Sequence, residues 1–263
     1  MKVKDIIEFL DKELTFAKQE DWDNSGLQIG NYESQVSGIL IGLDLSEKLV
    51  NMAIENNAKL IITHHPFIFF GIKSIDFSSY QGSLIEKIIK NNLNVYSMHT
   101  SFDAAYKGIT GELAKKLNIT EYKVLSESYV DLSKREVGFG GIGKLANSTT
   151  LSEYAKYVKE KLGCQMVKVY AKSLHTEVNN IAFCGGSGAE FISDAIRNKA
   201  QVYITGDIKY HDAQYAINNN LAIIDAGHFY TENIAMDLLL KTVSKVVGNS
   251  SAYYENTVME HYI

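Results

Sequence analysis

The chain is expected to form an α/β fold of two related lobes with mostly parallel strands. Three observations carry this expectation: an internal repeat, short apolar runs alternating with amphipathic runs of helix length, and the composition of a packed globular protein. Apolar residues make up 46% and charged residues 22% of the 263 positions, which excludes a disordered or fibrous chain. The length also exceeds the roughly 150 residues of a common single domain, so two domains can each bury a core.

The repeat has two blocks. Residues 38–63, GILIGLDLSEKLVNMAIENNAKLIIT, align without a gap on residues 180–205, NIAFCGGSGAEFISDAIRNKAQVYIT, at an offset of 142 residues and with seven identities. Asn91 to Tyr96 then pair with Asn219 to Ile224 at an offset of 128. Both blocks recur in the same order, as a duplication requires.

The N-terminal run MKVKDIIEFL has the spacing of an amphipathic helix. Ile39–Leu43 and Leu60–Ile62 are apolar runs of strand length. The helix between them has Ser46 as its N-cap and Asn56-Asn57 as a polar stop. A helix over Ser83–Lys90 and a strand over Leu93–Ser97 extend this first half. The second half repeats the pattern with strands Ile181–Cys184, Val202–Ile204 and Leu221–Asp225. Its helices fall near Phe191–Asn198, Tyr210–Asn218 and Asn233–Val246. Between the halves, Val137–Leu145 reads as a glycine-rich strand and Ser152–Leu162 as a helix. No Ser- or Pro-rich linker marks a boundary, which is placed near residue 125. The first lobe is then 1–125, and the second is 126–263 with the middle insertion and a C-terminal segment able to pack back on the first lobe.

Charge and cysteine use narrow the function. A net charge of -5 with no long run of either sign gives no electrostatic footprint for nucleic acid. No apolar run approaches the ~18 residues needed to span a bilayer, and Asp5 and Glu8 interrupt what a signal peptide would keep apolar. Cys164 and Cys184 are too few for a disulfide framework and lack zinc-type spacing, so a cytoplasmic location is expected.

In an open parallel sheet, ligands collect beyond the carboxyl ends of strands. Here these positions are rich in metal-ligand types. One strand runs into Thr63-His64-His65-Pro66, a second into Met98-His99 with Asp103 four residues on, and a third toward His228 and Glu232. Pro66, the only proline, disfavours helix at His65. In an extended segment adjacent side chains point to opposite sides, so the two imidazoles are expected to serve two ions rather than grip one. His99/Asp103 and His228/Glu232 are i, i+4 pairs, which a helical turn brings onto one face. Imidazoles with carboxylates suit two divalent transition-metal ions, Zn, Fe, Mn or Co. His99 is either a direct ligand or a group that holds substrate or orients a ligand.

Other motifs are weaker. Gly138-Phe-Gly-Gly-Ile-Gly143 is not followed by a helix as a dinucleotide fingerprint requires, and close strand packing explains it. Gly185-Gly-Ser187-Gly-Ala189 resembles a nucleophile elbow but is read as a strand-to-helix turn able to sit beside a bound anion. Asp207 and His211 are further cleft candidates, equally explained by capping and exposure. His175 and His261 are read as surface residues, and Trp22, the sole tryptophan, as a core anchor.

The ordered set Trp22-Asp-Asn-Ser-Gly-Leu-Gln-Ile-Gly30, Thr63-His-His-Pro-Phe67, His99-Thr-Ser-Phe-Asp103, Ile204-Thr-Gly-Asp207 and Gly227-His-Phe-Tyr-Thr-Glu232 resembles the Nif-three-like family, also named the GTP cyclohydrolase I type 2 family. The match covers nearly the whole chain. Ser25 stands where the family usually has an apolar residue. The resemblance implies two α/β lobes with a dinuclear metal site in the cleft between them and assembly into a toroidal homohexamer. It implies metal ligands at His64, His65, Asp103, His228 and Glu232, with His99 close by; because His64 and His65 already serve the first half, His99 is the donor most easily spared and the catalytic candidate. The expected function is a dinuclear-metal-dependent hydrolase of a nucleotide-like or phosphoester small molecule. The alternative is a non-enzymatic metal-binding regulatory or protein-interaction protein.

Overall fold

The computed structural model describes residues 1–15, 18–130, 136–247 and 251–253. In chain order the elements are α1 (Val3–Leu14), β1 (Gly26–Ile29), β2 (Ile39–Gly42), α2 (Glu47–Glu55), β3 (Leu60–Thr63), α3 (Tyr80–Lys90), β4 (Asn94–Ser97), the short α4 (Thr100–Asp103), α5 (Ile109–Lys116), β5 (Tyr122–Val130) and β6 (Glu136–Thr150). There follow α6 (Leu151–Leu162), β7 (Lys168–Tyr170), β8 (Glu177–Ser187), α7 (Ile192–Arg197), β9 (Val202–Gly206), α8 (Tyr210–Asn218), β10 (Ala222–Asp225), α9 (His228–Glu232), α10 (Met236–Val247) and β11 (Ser251–Tyr253). By contacts these elements form two units. One holds Met1–Phe102 with α10 and β11, and the other holds Asp103–Ala235.

The first unit is built on a five-stranded sheet in the order β1-β4-β3-β2-β11. Strands β2, β3 and β4 are parallel, β11 adds in parallel beside β2, and β1 closes the far edge antiparallel to β4. A parallel neighbour requires a crossover, which α2 and α3 provide. Ser46 caps α2 by accepting from the Leu49 amide at 3.1 Å. Ser79 does the same for α3 through Gly82 at 3.0 Å, so that helix starts three residues before the expected Ser83. The core on one face of this sheet gathers Leu40, Leu49, Val50, Ile61, Ile88 and Val95, all fully or nearly fully buried. Helix α1 buries Val3, Ile6, Leu10 and Leu14, the three-and-four spacing of one helical face.

The second unit carries a six-stranded sheet in the order β5-β6-β8-β9-β10-β7. Here β8, β9 and β10 are parallel, β7 is antiparallel to β10, and the β5/β6 hairpin adds antiparallel beside β8. The glycines of β6 are packing devices, as expected. A Cβ at Gly141 would lie 2.5 Å from the Phe183 ring, and one at Gly143 2.3 Å from the Glu121 carbonyl. Cys164 and Cys184 are buried free thiols.

Each sheet contains the same four-strand order, β1-β4-β3-β2 in one and β7-β10-β9-β8 in the other, with three parallel strands and an antiparallel edge. The register agrees residue for residue with the sequence repeat. Ile39 faces Leu60 and Ile41 faces Ile62, while Ile181 faces Val202 and Phe183 faces Ile204. Leu60 faces Asn94 as Val202 faces Ala222, matching the 142- and 128-residue offsets. Among the described residues no helix is long and apolar enough to cross a membrane.

Candidate metal centre

In the first unit the chain leaves β3 at Thr63 and bends at His64 and His65 instead of continuing extended. Their rings consequently lie side by side, with centroids 4.8 Å apart, rather than on opposite sides as the extended reading expected. The His64 amide bonds the Gly42 and Leu43 carbonyls and the His65 amide bonds the Leu43 carbonyl, so the end of β2 turns both residues. His99 arrives from the end of β4. Its ring is 5.3 Å from His64 and 5.7 Å from His65. One ligand atom from each of these three histidines lies within 4.8 Å of the others.

Each of these imidazoles is held by its Nδ1. His64 Nδ1 bonds the Met98 carbonyl at 2.8 Å, His65 Nδ1 the Asp44 carboxylate at 2.7 Å, and His99 Nδ1 the Asp23 carboxylate at 2.7 Å. Carbonyls and ionised carboxylates only accept, so Nδ1 carries the proton and the lone pair of the neutral ring is on Nε2. That is the tautomer and the outer hydrogen bond of a metal-ligating histidine.

The second unit repeats the device. The i, i+4 pair expected from the sequence is helical: α9 places His228 Nε2 3.0 Å from Glu232 Oε2. His228 Nδ1 bonds the Asp207 carboxylate at 2.7 Å. Asp207 follows β9 with φ +58°, in the left-handed region that Asp tolerates better than most residues. Gly186, also left-handed at φ +64°, makes room: a Cβ there would lie 2.2 Å from Glu232 Oε1 and 3.3 Å from His228 Nε2. Glu232 is buried, 4% exposed. Asp103 lies in the same unit, and a carboxylate oxygen of Asp103 lies within 4.8 Å of one of Glu232. In each unit the donor types, imidazoles held at Nδ1 in both and carboxylates in the second, suit Zn, Fe, Mn or Co.

Asp23 escaped the sequence reading although it stands inside the Trp22–Gly30 motif. Its side chain is wholly buried. It accepts from His99 Nδ1, from Ser25 Oγ at 2.6 Å, and from Thr100 through both Oγ at 2.6 Å and the amide at 3.2 Å. Burial alone would raise its pKa, but the hydrogen bonds from His99, Ser25 and Thr100 outweigh that and hold the carboxyl well below the usual carboxylate range. A group with a depressed folded pKa stabilises fully above its unfolded value, about pH 4, and loses that contribution progressively as pH falls below it. Replacing Asp23 by Asn is therefore expected to cost ~3 kcal/mol at neutral pH by leaving buried donors mismatched. The gap to wild type should shrink below about pH 4. Chemical denaturation of both proteins between pH 3 and 7 checks it, and a gap that stays constant would contradict the assignment. Asp44 was also missed. It lies two residues beyond β2, where inspection of every strand end would have found it.

Three further readings are settled by position. Trp22 is no core anchor: it is 59% exposed and meets His99 edge-on at 6.0 Å. His211 and His175 are exposed, and His261 lies outside the described residues. Ser187 is exposed where β8 gives way to a 3-10 turn over Ala189–Phe191, which fits a strand-to-helix turn.

A family model described as Duf34/NIF3 (NGG1p interacting factor 3) matches residues 1–260. The chain is 34% identical over 232 residues to a Clostridium acetobutylicum protein named GTP cyclohydrolase 1 type 2 homolog, covering 88% of this chain and 85% of that one. It is 35% identical over 240 residues to a Helicobacter pylori protein named GTP cyclohydrolase 1 type 2, covering 88% and 86%. In fold it is similar to a Bacillus cereus protein related to NIF3, with TM-score 0.90, 24% identity and coverage of 100% and 99%. A Staphylococcus aureus hypothetical protein is similar at TM-score 0.88 and 28% identity, again covering 100% and 99%. With the whole-length family match and these relatives in agreement, the chain belongs to the Duf34/NIF3 (NGG1p interacting factor 3) family.

Proposed function

We propose that this protein is a dinuclear-metal-dependent hydrolase of a nucleotide-like or phosphoester small molecule. The observation that carries the reading is the set of histidines His64, His65 and His99, whose ligand atoms lie within 4.8 Å of one another and whose Nδ1 atoms are each held by an acceptor. We assign His64, His65, Asp103, His228 and Glu232 as the ligands of two divalent transition-metal ions and keep His99 for proton transfer. Five ligands on two ions leave coordination positions open, as catalysis requires and a closed structural site does not. When bound, the ions supply Lewis acidity to water and to a substrate oxygen.

The chain's own residues do the rest. Asp23 holds His99 by Nδ1, so His99 can take or return a proton at Nε2 without turning its ring. Asp44 and Asp207 fix His65 and His228 in the same sense, which lowers the reorganisation needed to form the site. We read the two units as copies of one ancestral unit, a reading supported by the equal strand order and the matched 142- and 128-residue register. By family resemblance the assembly is a toroidal homohexamer in the cytoplasm, and light scattering on the purified protein tests its mass.

Saturation with Zn, Mn, Fe or Co is expected to give about two ions per chain, because five protein ligands exceed the four positions of one tetrahedral ion. Elemental analysis after anaerobic purification checks this, and a reproducible single ion would remove the dinuclear reading. A turnover screen of nucleotides and phosphoesters on the same metal-loaded protein, run beside His64→Ala, tests the activity. Equal inertness of both proteins would favour a binding protein.

A further inference from the structure

We propose that Trp22, Phe69 and Phe70 form a stacking wall for a planar heteroaromatic ring, placed so that the ring's edge meets His99. The proposal deepens the hydrolase reading of the same donors and rests on it. Trp22 and Phe70 are 59% and 82% exposed, unusual for large apolar side chains. They are not scattered: Trp22 and Phe69 have ring centroids 6.1 Å apart, and Phe69 packs edge-to-face on Phe70 at 4.8 Å. Both Trp22 and Phe69 reach His99 edge-on at 6.0 Å. The wall therefore borders the residue that also borders His64 and His65.

The wall is built rather than incidental. It comes from two loops, one before β1 and one after β3, that are stapled together. Asn24 Nδ2 donates to the Ile68 carbonyl at 2.5 Å, the Ile68 amide donates to Gln28 Oε1 at 3.1 Å, and Gln28 Nε2 donates to the Asn24 carbonyl at 2.6 Å. Phe67 anchors the second loop in the core of its unit. Aromatic side chains held this way offer rigid surfaces at low entropic cost, and with Trp22 inclined 50° and Phe70 90° to Phe69 a planar ring stacks on one of them and meets the others edge-on. Every nucleobase-like ring has a π-face to lay on them, whereas a sugar phosphate has none. A second protein surface pressed on the same wall would cover the donors that hydrolysis needs open, and a flat small ring would not.

Trp22 is the sole tryptophan, so its emission reports the wall directly in the full-length, metal-loaded protein. GMP and guanosine are expected to quench it saturably, and ribose 5-phosphate is not. By calorimetry, Phe69→Ala and Trp22→Ala should each weaken GMP binding by about tenfold or more, while Trp22→Phe retains most of it. Phe70→Ala, at an exposed position that cannot unsettle the core, should weaken it by a smaller factor. Equal affinity for GMP and ribose 5-phosphate, or variants that bind GMP like wild type, would overturn the wall. So would a concentration-dependent blue shift of Trp22 emission without ligand, which would show a second copy seated there. Saturable quenching by GMP without any hydrolysis supports the wall and fails the hydrolase reading. Hydrolysis of non-aromatic phosphoesters at rates matching nucleotides supports the hydrolase and fails the wall.

Discussion

Gly186→Ala is expected to lower the affinity for divalent metal by at least ~100-fold while the fold survives, because it pushes the proposed ligand Glu232 aside without changing the identity of any proposed ligand. The new Cβ would sit 2.2 Å from Glu232 Oε1 and 3.1 Å from its Cδ, too close for either to stay. Glu232 must swing away, and the same Cβ stands 3.3 Å from His228 Nε2, so both members of the α9 pair are disturbed. The backbone cost is separate and smaller, ~1–2 kcal/mol for holding alanine at φ +64°. The Gly186 amide keeps its bond to Thr231 Oγ and the Gly186 carbonyl its bond from Thr205 Oγ, so β8 is retained. Metal content by elemental analysis and thermal melting of the metal-free protein separate the two effects. A Gly186→Ala protein that binds both ions with wild-type affinity would show that Glu232 is not a ligand.

That experiment turns on a residue whose importance sequence pattern did not disclose. Gly186 lay inside a run read as a strand-to-helix turn, and nothing in its spacing says that a carboxylate 46 residues later packs against its missing side chain. The parallel core was more legible. Strands buried on both faces are continuous apolar runs, and Leu60–Thr63 and Val202–Gly206 are buried at every position. Edge strands carry no such signal: β1 is half-buried throughout, and the three-residue β7 is exposed at Lys168 and half-buried beyond it, so neither was anticipated. Strand β8 runs Glu177–Ser187, well past the expected Ile181–Cys184, because its extension is held by pairing with β6 rather than by its own hydrophobicity. At the site, ligand-type residues past strand ends stood out, and the i, i+4 rule placed His228 on Glu232. The carboxylates that hold the histidines were harder to find. Asp23 reaches His99 across 76 positions and Asp44 reaches His65 across 21, separations that only the fold closes.

His99→Ala is expected to keep both ions and lose most turnover, whereas His228→Ala or Glu232→Ala should lose metal first. The distinction rests on the count of donors in each unit. In the proposed ligand set the first unit contributes His64 and His65, so His99 can be spared, whereas His228, Glu232 and Asp103 are all in use in the second unit. His99 is also held differently. Its partner Asp23 is wholly buried and bound by Ser25 and Thr100, whereas Asp44 and Asp207, which hold His65 and His228, are about half exposed. A buried partner fixed by two further hydroxyl hydrogen bonds keeps the imidazole in one orientation, which suits a group that takes up and returns a proton at Nε2. Removing a proton-transfer group typically costs ~10²–10⁴-fold in rate. Removing a ligand instead empties an ion, and activity falls because the metal is gone. Asp23→Asn should share the phenotype of His99→Ala, with metal retained and turnover reduced, if Asp23 acts through the ring it holds. Metal content and rate need to be measured on the same preparations, with an active substrate taken from the screen. Loss of an ion in His99→Ala together with retention of both in His228→Ala would reverse the assignment and make His99 a ligand.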